Sequence, residues 1–327
     1  MSDHGVHLIK MPSGARLFFD DSLDAANEPK HDYYRAREAK KKKDGSGYLA
    51  KDADNVDGWC RSTRLTGVTT AAKALDIDPS RLLNWAAKTQ CIGVADLASA
   101  ILNSTGPEDL LDALSWLETQ ESIWDALEES ELTFENVRDR AGVEGTNVHM
   151  TVFHALATGA AVPDFDSLSE RERGLGQAVV AAWLDHDPDP KLAEQVVYSE
   201  KLGVAGRLDF FGRLRSRCAN EACPCHEIDL RQAGVMDLKT GNYLGAAAHA
   251  QVGGGYPRLL SDSGFGEAKW ALFLKVHDDG TYDLVRAHGT PEGFEGAVST
   301  YREAARIMNA DRKDYERRQK AREAVPA

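Results

Sequence analysis

The stretch GVMDLKTG at residues 234–241 combines the apolar residues of a β-strand with a carboxylate, Asp237, and an ammonium, Lys239. Side chains alternate across a strand, so residues two positions apart lie on the same face. If that face borders a cleft, Asp237 can bind a hard cation, and Lys239 can stabilise charge or activate a water molecule beside it. The Leu238 carbonyl is a further potential oxygen ligand. Lys239 also favours the ionised form of Asp237.

A second carboxylate, Asp209, lies in the stretch GVAGRLDFFG, whose Val, Leu and Phe residues are typical of a strand. Two neighbouring strands could bring Asp209 close to Asp237. Such a pair of carboxylates would bind Mg²⁺ or Mn²⁺, which prefer oxygen ligands. The alternative for Asp209 is a strand-end residue that hydrogen-bonds to its own turn.

Three of the five cysteines lie in the sequence CANEACPCH, between the two predicted strands. In a reducing compartment such crowding favours a metal over disulfides. Thiols and an imidazole suit tetrahedral Zn²⁺, and the predicted ligands are Cys218, Cys223, Cys225 and His226. The alternatives are a thiol loop without metal and an iron–sulfur centre. Cys60 and Cys91 are predicted to be ordinary thiols.

The composition bounds the class of protein that holds these groups. The chain has 327 residues, 42% of them hydrophobic, and a formal net charge of −13. It contains no apolar run long enough to span a membrane and no recognisable secretory signal, so we expect a cytoplasmic protein. The net charge argues against a general polyanion-coating protein but not against an enzyme that grips phosphate locally through divalent ions.

Residues 1–140 form the predicted N-terminal region, which is polar and irregular at first and mostly helical from about residue 65. The segment from Ser104 to Val137 contains no Lys or Arg, and its Leu, Ile and Trp residues recur at helical spacing. This pattern predicts two amphipathic helices with an acidic outer face. That face is either a solvated surface or one that mimics or repels DNA.

Residues 141–310 form the predicted core, and residues 311–327 a basic tail. Helices are expected from near Gly145 to Gly159, over SLSERERGLGQAVVAAWLDH with a serine cap, and over roughly 291–309. A hairpin is expected to turn at Asp279-Gly280. This order predicts an α/β fold: a mixed central sheet flanked by helices, with a helical N-terminal extension and a small Cys-rich hairpin insertion at 216–228.

Four motifs in order resemble the RecB-like nucleases of the PD-(D/E)XK superfamily: GTNVH on a helix, GRLD and DLK on strands, and AQ on a later helix. The similarity is greatest to phage-encoded exonucleases related to the RecB-like CRISPR-associated nucleases. In those phage proteins, a segment similar to LTGVTTAAKALDIDPSRLLNWAAK precedes the catalytic core. The resemblance covers roughly Leu65 to His288.

The resemblance implies a restriction-endonuclease-like fold and a divalent-metal-dependent DNA exonuclease. Such an enzyme would act in phage recombination or DNA processing, in the cytoplasm of a bacterial host. Its partner would be DNA, with a phage recombinase or single-strand-binding protein as a second candidate. The sequence leaves the oligomeric state open, and a zinc-bound cysteine loop would rigidify a hairpin tip near the DNA.

The resemblance also implies roles for individual residues. His149 of GTNVH would bind or position the first metal ion. Asp209, Asp237 and the Leu238 carbonyl would be oxygen ligands, and Lys239 would position or activate the attacking water.

Gln251 matches the family's glutamine on the helix after the catalytic strands, which helps to hold the nucleic acid and the active site. In the family, three residues separate this glutamine from a tyrosine, whereas four separate Gln251 from Tyr256. On an ideal α-helix the extra residue turns Tyr256 away from Gln251. A π-bulge would restore the alignment, so the membership of Tyr256 in the site depends on the helix geometry.

Two other functions fit the same sequence. The protein could be a catalytically inactive DNA-binding or scaffolding protein on a nuclease fold. It could also be an acidic decoy that binds a host DNA-binding protein through the helices without Lys or Arg. The complete set of one His, two Asp and one Lys favours the enzyme, because a decayed site usually loses a ligand.

Overall fold

A computed structural model describes residues 5–24, 30–42, 48–52, 54–75, 80–104, 120–159, 163–241 and 243–323. Over these ranges the chain is a mixed α/β protein, with a four-stranded antiparallel sheet and a six-stranded mixed sheet flanked by helices. No helix within the described ranges is long and apolar enough to cross a membrane.

The N-terminal region begins with a sheet rather than with irregular chain, which corrects the prediction for residues 1–60. Its antiparallel strands follow one another in sequence: β1 (Val6–Lys10), β2 (Arg16–Asp20), β3 (Asp32–Glu38) and β4 (Trp59–Arg64). The strands β1 and β2 have only five residues each, so their strand pattern is weak in the sequence until partner strands bury their apolar residues. Leu17 and Phe19 pack in one cluster with Val196 and Tyr198 of the central sheet.

Helices follow this sheet, as predicted from about residue 65. They are α1 (Val68–Ala72), α2 (Ser80–Ser104), α3 (Gln120–Glu129) and α4 (Phe134–Val148). Residues 105–119, which include most of the first predicted acidic helix, lie outside the described residues. So do residues 76–79, where a helix break was expected at Asp78-Pro79.

Helix α4 begins earlier than predicted, at Phe134 rather than near Gly145. The Thr133 side chain accepts a hydrogen bond from the backbone N–H of Asn136, which caps the helix. A π-helical segment, His149–Phe153, and helix α5 (His154–Thr158) continue it. The helix ends at Gly159, whose φ of 64° is left-handed, so the predicted end is confirmed.

Helix α6 (Glu170–His186) starts with the predicted serine cap. Ser169 and Glu172 form a reciprocal capping box, in which each side chain accepts from the other's backbone N–H. Farther along, Gly174 packs against the turn of the last hairpin. A Cβ atom at Gly174 would lie 1.8 Å from the backbone oxygen of Asp278, so only glycine fits this contact.

We expect Gly174→Ala to lower the free energy of unfolding by about 1–3 kcal/mol, because the added methyl group must displace backbone. Gly296→Ala is the matched control on another helix, since a Cβ there meets nothing within 4 Å. It should be neutral or stabilising by up to about 1 kcal/mol. Urea denaturation measures both. Equal effects of the two substitutions would contradict the packing described.

The central sheet contains six strands: β5 (Thr66–Gly67), β6 (Pro188–Ser199), β7 (Val204–Leu214), β8 (Gly234–Lys239), β9 (Ala271–Val276) and β10 (Tyr282–Arg286). The order is β10-β9-β8-β7-β5, and β6 pairs with β7. Strand β8 runs parallel to β9 and antiparallel to β7. Strands β9 and β10 form the predicted hairpin, with Gly280 at φ 83°.

Both faces of the sheet are buried, because alternate residues of its central strands enter different cores. Leu272 and Leu274 pack with the helices around Val152 and Val179. Phe273 packs in a second core with residues of the remaining helices. Those helices are α7 (Ala246–His249), a π-helical segment (Ala250–Gly255), α8 (Tyr256–Ser263) and α9 (Pro291–Glu323).

Helix α9 extends past the predicted end near residue 309 and includes the first part of the basic tail. The tail sequence DRKDYERRQKARE is rich in Arg, Lys, Glu, Gln and Ala, all of which have high helix propensity. The expectation of a frayed tail directly after residue 310 is therefore wrong, because the helix continues to Glu323.

Candidate active site

Asp209 and Asp237 lie where strands β7 and β8 separate. The two strands pair from Gly212↔Gly234 to Phe210↔Met236, and the two aspartates are the next residues along. There the backbone N–H of Leu238 donates to the Asp209 side chain, at 2.9 Å from Oδ2. A carboxylate thus takes the place of a backbone acceptor, and the sheet opens at this point.

His149 reaches the same place from the junction between helix α4 and the π-helical segment. Its Nε2 lies 2.9 Å from Asp209 Oδ2. Within the GTNVH motif, Asn147 donates a hydrogen bond of 2.7 Å to Glu172, which ties α4 to the start of α6. A Cβ at Gly145 would lie 2.7 Å from Thr240 Oγ1, so the glycine lets the helix approach the end of β8 closely. These two contacts, one with helix α6 and one with the end of β8, therefore fix the part of helix α4 that precedes His149.

Glu194 is a member of the site that the sequence reasoning missed. It lies on β6 between the pairs Ala193↔Phe210 and Gln195↔Leu208, and hence opposite Asp209. Its φ of 52° is left-handed, which is unusual for a non-glycine residue. The carboxylate contacts two cations: Oε1 lies 3.1 Å from His149 Nδ1, and Oε2 lies 3.2 Å from Arg207 Nε.

One ligand atom from each of His149, Glu194 and Asp209 lies within 4.8 Å of the other two, so these side chains could hold one metal ion. The predicted ligand set shares His149 and Asp209 with this group but lacked Glu194. Asp237 and the Leu238 carbonyl stay predicted ligands. Glu194 Oε1 is buried and has no hydrogen bond of good geometry within the described residues, as expected of a ligand atom.

Asp237 and Lys239 lie together on one face of β8, as strand alternation predicts. Lys239 Nζ is 2.5 Å from Asp237 Oδ2. The aspartate is almost fully buried, whereas about a third of the Lys239 side chain, 32%, is exposed toward the cleft. The ammonium is thus held by a buried carboxylate and presented to whatever enters the cleft.

Gln251 and Tyr256 are brought together by the π-helical segment Ala250–Gly255. Gln251 Nε2 donates to Tyr256 Oη at 2.8 Å, and Tyr256 Oη donates to the Arg207 carbonyl at 2.8 Å. A π-helix aligns residues five apart, which is the separation of this pair. Tyr256 lines the cleft, while Gln251 is buried behind it. The contact of Gln251 is therefore with the tyrosine, and its implied contact with nucleic acid stays a prediction.

The ionisable groups of the site shift one another's pKa. Burial opposes a charged imidazole, but the charge and hydrogen bond of Asp209, together with the charges of Glu194 and Asp237, raise the pKa of His149 to about 9. Burial raises the pKa of Glu194 to about 7 and, with the Asp209 charge, that of Asp237 to about 6. Burial also acts to raise the pKa of Asp209, but the charge and hydrogen bond of His149, with the Lys239 charge and the Leu238 N–H, together lower it. Clustered shifts of this kind are typical of functional sites.

His149, Glu194 and Asp209 line a cleft of about 560 Å³. Strand β3 and the residue before it contribute Tyr33 and His31, and helix α4 contributes a second wall. The predicted VTT segment contributes Val68, Thr69 and Thr70. Two cations, Arg207 and Lys239, face the cleft. The cleft therefore joins a negatively charged ligand cluster to cationic side chains.

The predicted cysteine cluster forms within the connection between β7 and β8. Cys218 Sγ lies 3.8 Å from Cys225 Sγ, and neither thiol is in a disulfide. Two sulfurs bound to tetrahedral Zn²⁺ at about 2.3 Å would be about 3.8 Å apart. The predicted set of Cys218, Cys223, Cys225 and His226 could bind a metal such as zinc. Cys60 is buried and Cys91 is exposed.

A scan against models of known protein families and a search of curated proteins both return no match. The resemblance to RecB-like nucleases therefore depends on the four motifs and remains a prediction. The motifs lie on a helix, two strands and a later helix, and the described residues bring members of all four to one end of the sheet.

Proposed function

We propose that this protein is a divalent-metal-dependent deoxyribonuclease with a restriction-endonuclease-like core of the RecB-like type. The observation that carries the proposal is the meeting of His149, Glu194 and Asp209, from three different elements, beside Lys239 in one cleft.

The donor set fits Mg²⁺ or Mn²⁺. Two carboxylates supply the hard oxygen ligands that both ions prefer, and the single imidazole is better suited to Mn²⁺. When bound, such an ion polarises a phosphoryl oxygen and lowers the pKa of a bound water. Metal binding would release the proton that His149 holds in the metal-free protein.

The remaining groups have roles that follow from their positions. Lys239 presents an ammonium to the cleft, where it can orient the attacking water and offset negative charge that develops on the phosphate. Arg207, fixed by Glu194, supplies a second cation for the DNA backbone. Tyr256 lies against the Arg207 carbonyl and holds this stretch of β7 in place.

The walls of the cleft support action on a DNA end. Residues of the N-terminal sheet, His31 and Tyr33, line it together with Gly142 and Thr146 of helix α4. A strand that enters between such walls meets Lys239 and the carboxylates. On this basis we propose an exonuclease rather than an enzyme that acts on an open duplex face; the proposed role in phage recombination or DNA processing comes from the motif resemblance alone.

Glu194→Gln is expected to weaken Mn²⁺ binding about 10–100-fold, because the amide keeps the size of the side chain but loses its charge. Cleavage should fall in parallel at a fixed Mn²⁺ concentration. The matched control is Glu200→Gln, an exposed residue on the same hairpin, which should change neither. Isothermal titration calorimetry measures the affinity. Unchanged Mn²⁺ affinity in the Glu194 variant would remove this residue from the site.

Digestion of end-labelled linear DNA tests the proposal as a whole. Single- and double-stranded substrates are incubated with the protein in Mg²⁺, in Mn²⁺ and in EDTA. We expect products that shorten from an end, only when a divalent ion is present. Binding without cleavage in either metal would favour the catalytically inactive DNA-binding or scaffolding protein. Absence of both would favour the acidic decoy.

A further inference from the structure

A buried histidine lies beside two thiols of the cysteine cluster, those of Cys218 and Cys223. His186 is the last residue of helix α6 and is 2% exposed. One of its ring nitrogens and the sulfurs of Cys218 and Cys223 all lie within 4.8 Å of one another. The sequence did not single out this residue, because it lies more than thirty positions before Cys218 and is far from any cysteine motif.

The hydrogen bonds of His186 determine which nitrogen is free. Tyr282 Oη donates its one proton to Asp185 Oδ2, at 2.6 Å. His186 Nε2 lies 3.1 Å from the same Tyr282 oxygen, so Nε2–H must be the donor in that contact. The lone pair is then on Nδ1. Within the described residues, Nδ1 is buried and has no hydrogen-bond partner.

A buried, unprotonated and unpartnered nitrogen beside thiols is what a soft metal site requires. His186 is 2% exposed, so a charged ring would be costly at this position. The chain from Asp185 through Tyr282 to Nε2 resembles the outer-shell hydrogen bonds that orient metal-bound histidines.

We propose that His186, rather than His226, is the fourth ligand of a structural Zn²⁺ site, with Nδ1 completing a set made by Cys218, Cys223 and Cys225. His226 also lies near Cys218 and Cys225. It is exposed, however, and its Nε2 donates to the Cys218 carbonyl at 2.9 Å. That hydrogen bond holds the loop and leaves His226 Nδ1 free, so the preference for His186 is based on burial: His186 is 2% exposed, whereas His226 is exposed.

The location implies the function of the site. Three cysteines and one histidine leave no open position on tetrahedral Zn²⁺, so the site is closed and structural. It would tie the end of helix α6 to the β7–β8 connection, which begins after Leu214, whereas Asp209 lies in the middle of β7. Zn²⁺ and the active-site ion would therefore be separate, and each could be removed without the other.

Cobalt substitution compares the two histidines directly. The full chain is loaded with Co²⁺ in place of Zn²⁺, and the visible spectrum of tetrahedral thiolate-bound cobalt is recorded. His226→Ala should keep this spectrum and bind one Zn²⁺ per chain. His186→Ala should lose the tetrahedral spectrum or weaken Zn²⁺ affinity by more than about 10-fold. The reverse pattern, with His226→Ala losing the spectrum, would overturn the proposal.

A second measurement avoids replacing the buried residue. Cadmium-substituted protein with nitrogen-labelled histidine is examined by NMR for scalar coupling between the metal and a histidine ring nitrogen. Because His226 is exposed, the His226→Ala protein should fold. We expect the coupling to persist in that variant, at a nitrogen assigned as Nδ1. Loss of the coupling there, or its absence from the unsubstituted protein, would show that His186 is not a ligand.

Discussion

Asp209→Asn is expected to abolish metal-dependent DNA cleavage, with a loss of about 10³-fold or more. The Asp209 carboxylate contacts His149, accepts the Leu238 amide and supplies one of the three clustered ligand atoms. A metal ion contributes several kcal/mol of stabilisation to the transition state, and about 4 kcal/mol corresponds to about 10³-fold in rate. The measurement is the initial rate of digestion of end-labelled DNA in Mn²⁺.

Thermal unfolding separates this effect from misfolding. A metal present at 100 times its dissociation constant stabilises the folded protein by about 2.7 kcal/mol. Mn²⁺ should therefore raise the Tm of the parent protein and of the control Asp283→Asn, which changes an exposed residue of strand β10. For Asp209→Asn, the Tm should be the same with and without Mn²⁺. A folded Asp209→Asn protein that cleaved DNA at the parental rate would contradict the assignment.

Lys239→Met should lower the cleavage rate about 10²–10³-fold while Mn²⁺ still binds, because the ammonium acts on the reacting groups rather than as a ligand. The substitution also removes the partner of a buried carboxylate, so the pKa of Asp237, already raised by burial to about 6, should rise further. The control is Lys275→Met, at the paired position on neighbouring strand β9. Single-turnover digestion and Mn²⁺ titration measure the two properties separately.

The outcome that would exclude this role is a Lys239→Met protein with a parental single-turnover rate. A variant that lost both Mn²⁺ binding and cleavage would instead place Lys239 among the groups that maintain the metal site. The Lys275→Met protein should match the parent in both properties. That result would show that the loss of a neighbouring lysine does not by itself lower the cleavage rate.

Local periodicity made the pair on β8 predictable. Residues two positions apart on a strand share a face, so the placement of Asp237 and Lys239 on one face could be predicted without knowledge of the fold. The cap at Ser169 and the turn at Asp279-Gly280 were predictable for the same reason, since each depends on a few adjacent residues. The π-helical alignment of Gln251 with Tyr256 follows from a single extra residue in the spacing.

Cross-strand neighbours were harder to identify. Glu194 is close to Asp209 only because the β6–β7 hairpin pairs them in register, and its sequence context, KLAEQVV, contains no motif. A hairpin register counted outward from Ser199↔Val204 would have placed the two residues opposite each other. His186 required the packing of α6 against the β7–β8 connection, which no local pattern specifies. The N-terminal sheet required long-range pairing in the same way.

The most direct test of the metal site is magnetic resonance of bound Mn²⁺ with nitrogen-labelled histidine in the chain. The account predicts one Mn²⁺ coupled to a single histidine nitrogen, and loss of that coupling in His149→Gln while the protein stays folded. Mn²⁺ that binds without any histidine coupling, or a folded protein that binds no Mn²⁺, would contradict the convergence of His149, Glu194 and Asp209 on one ion.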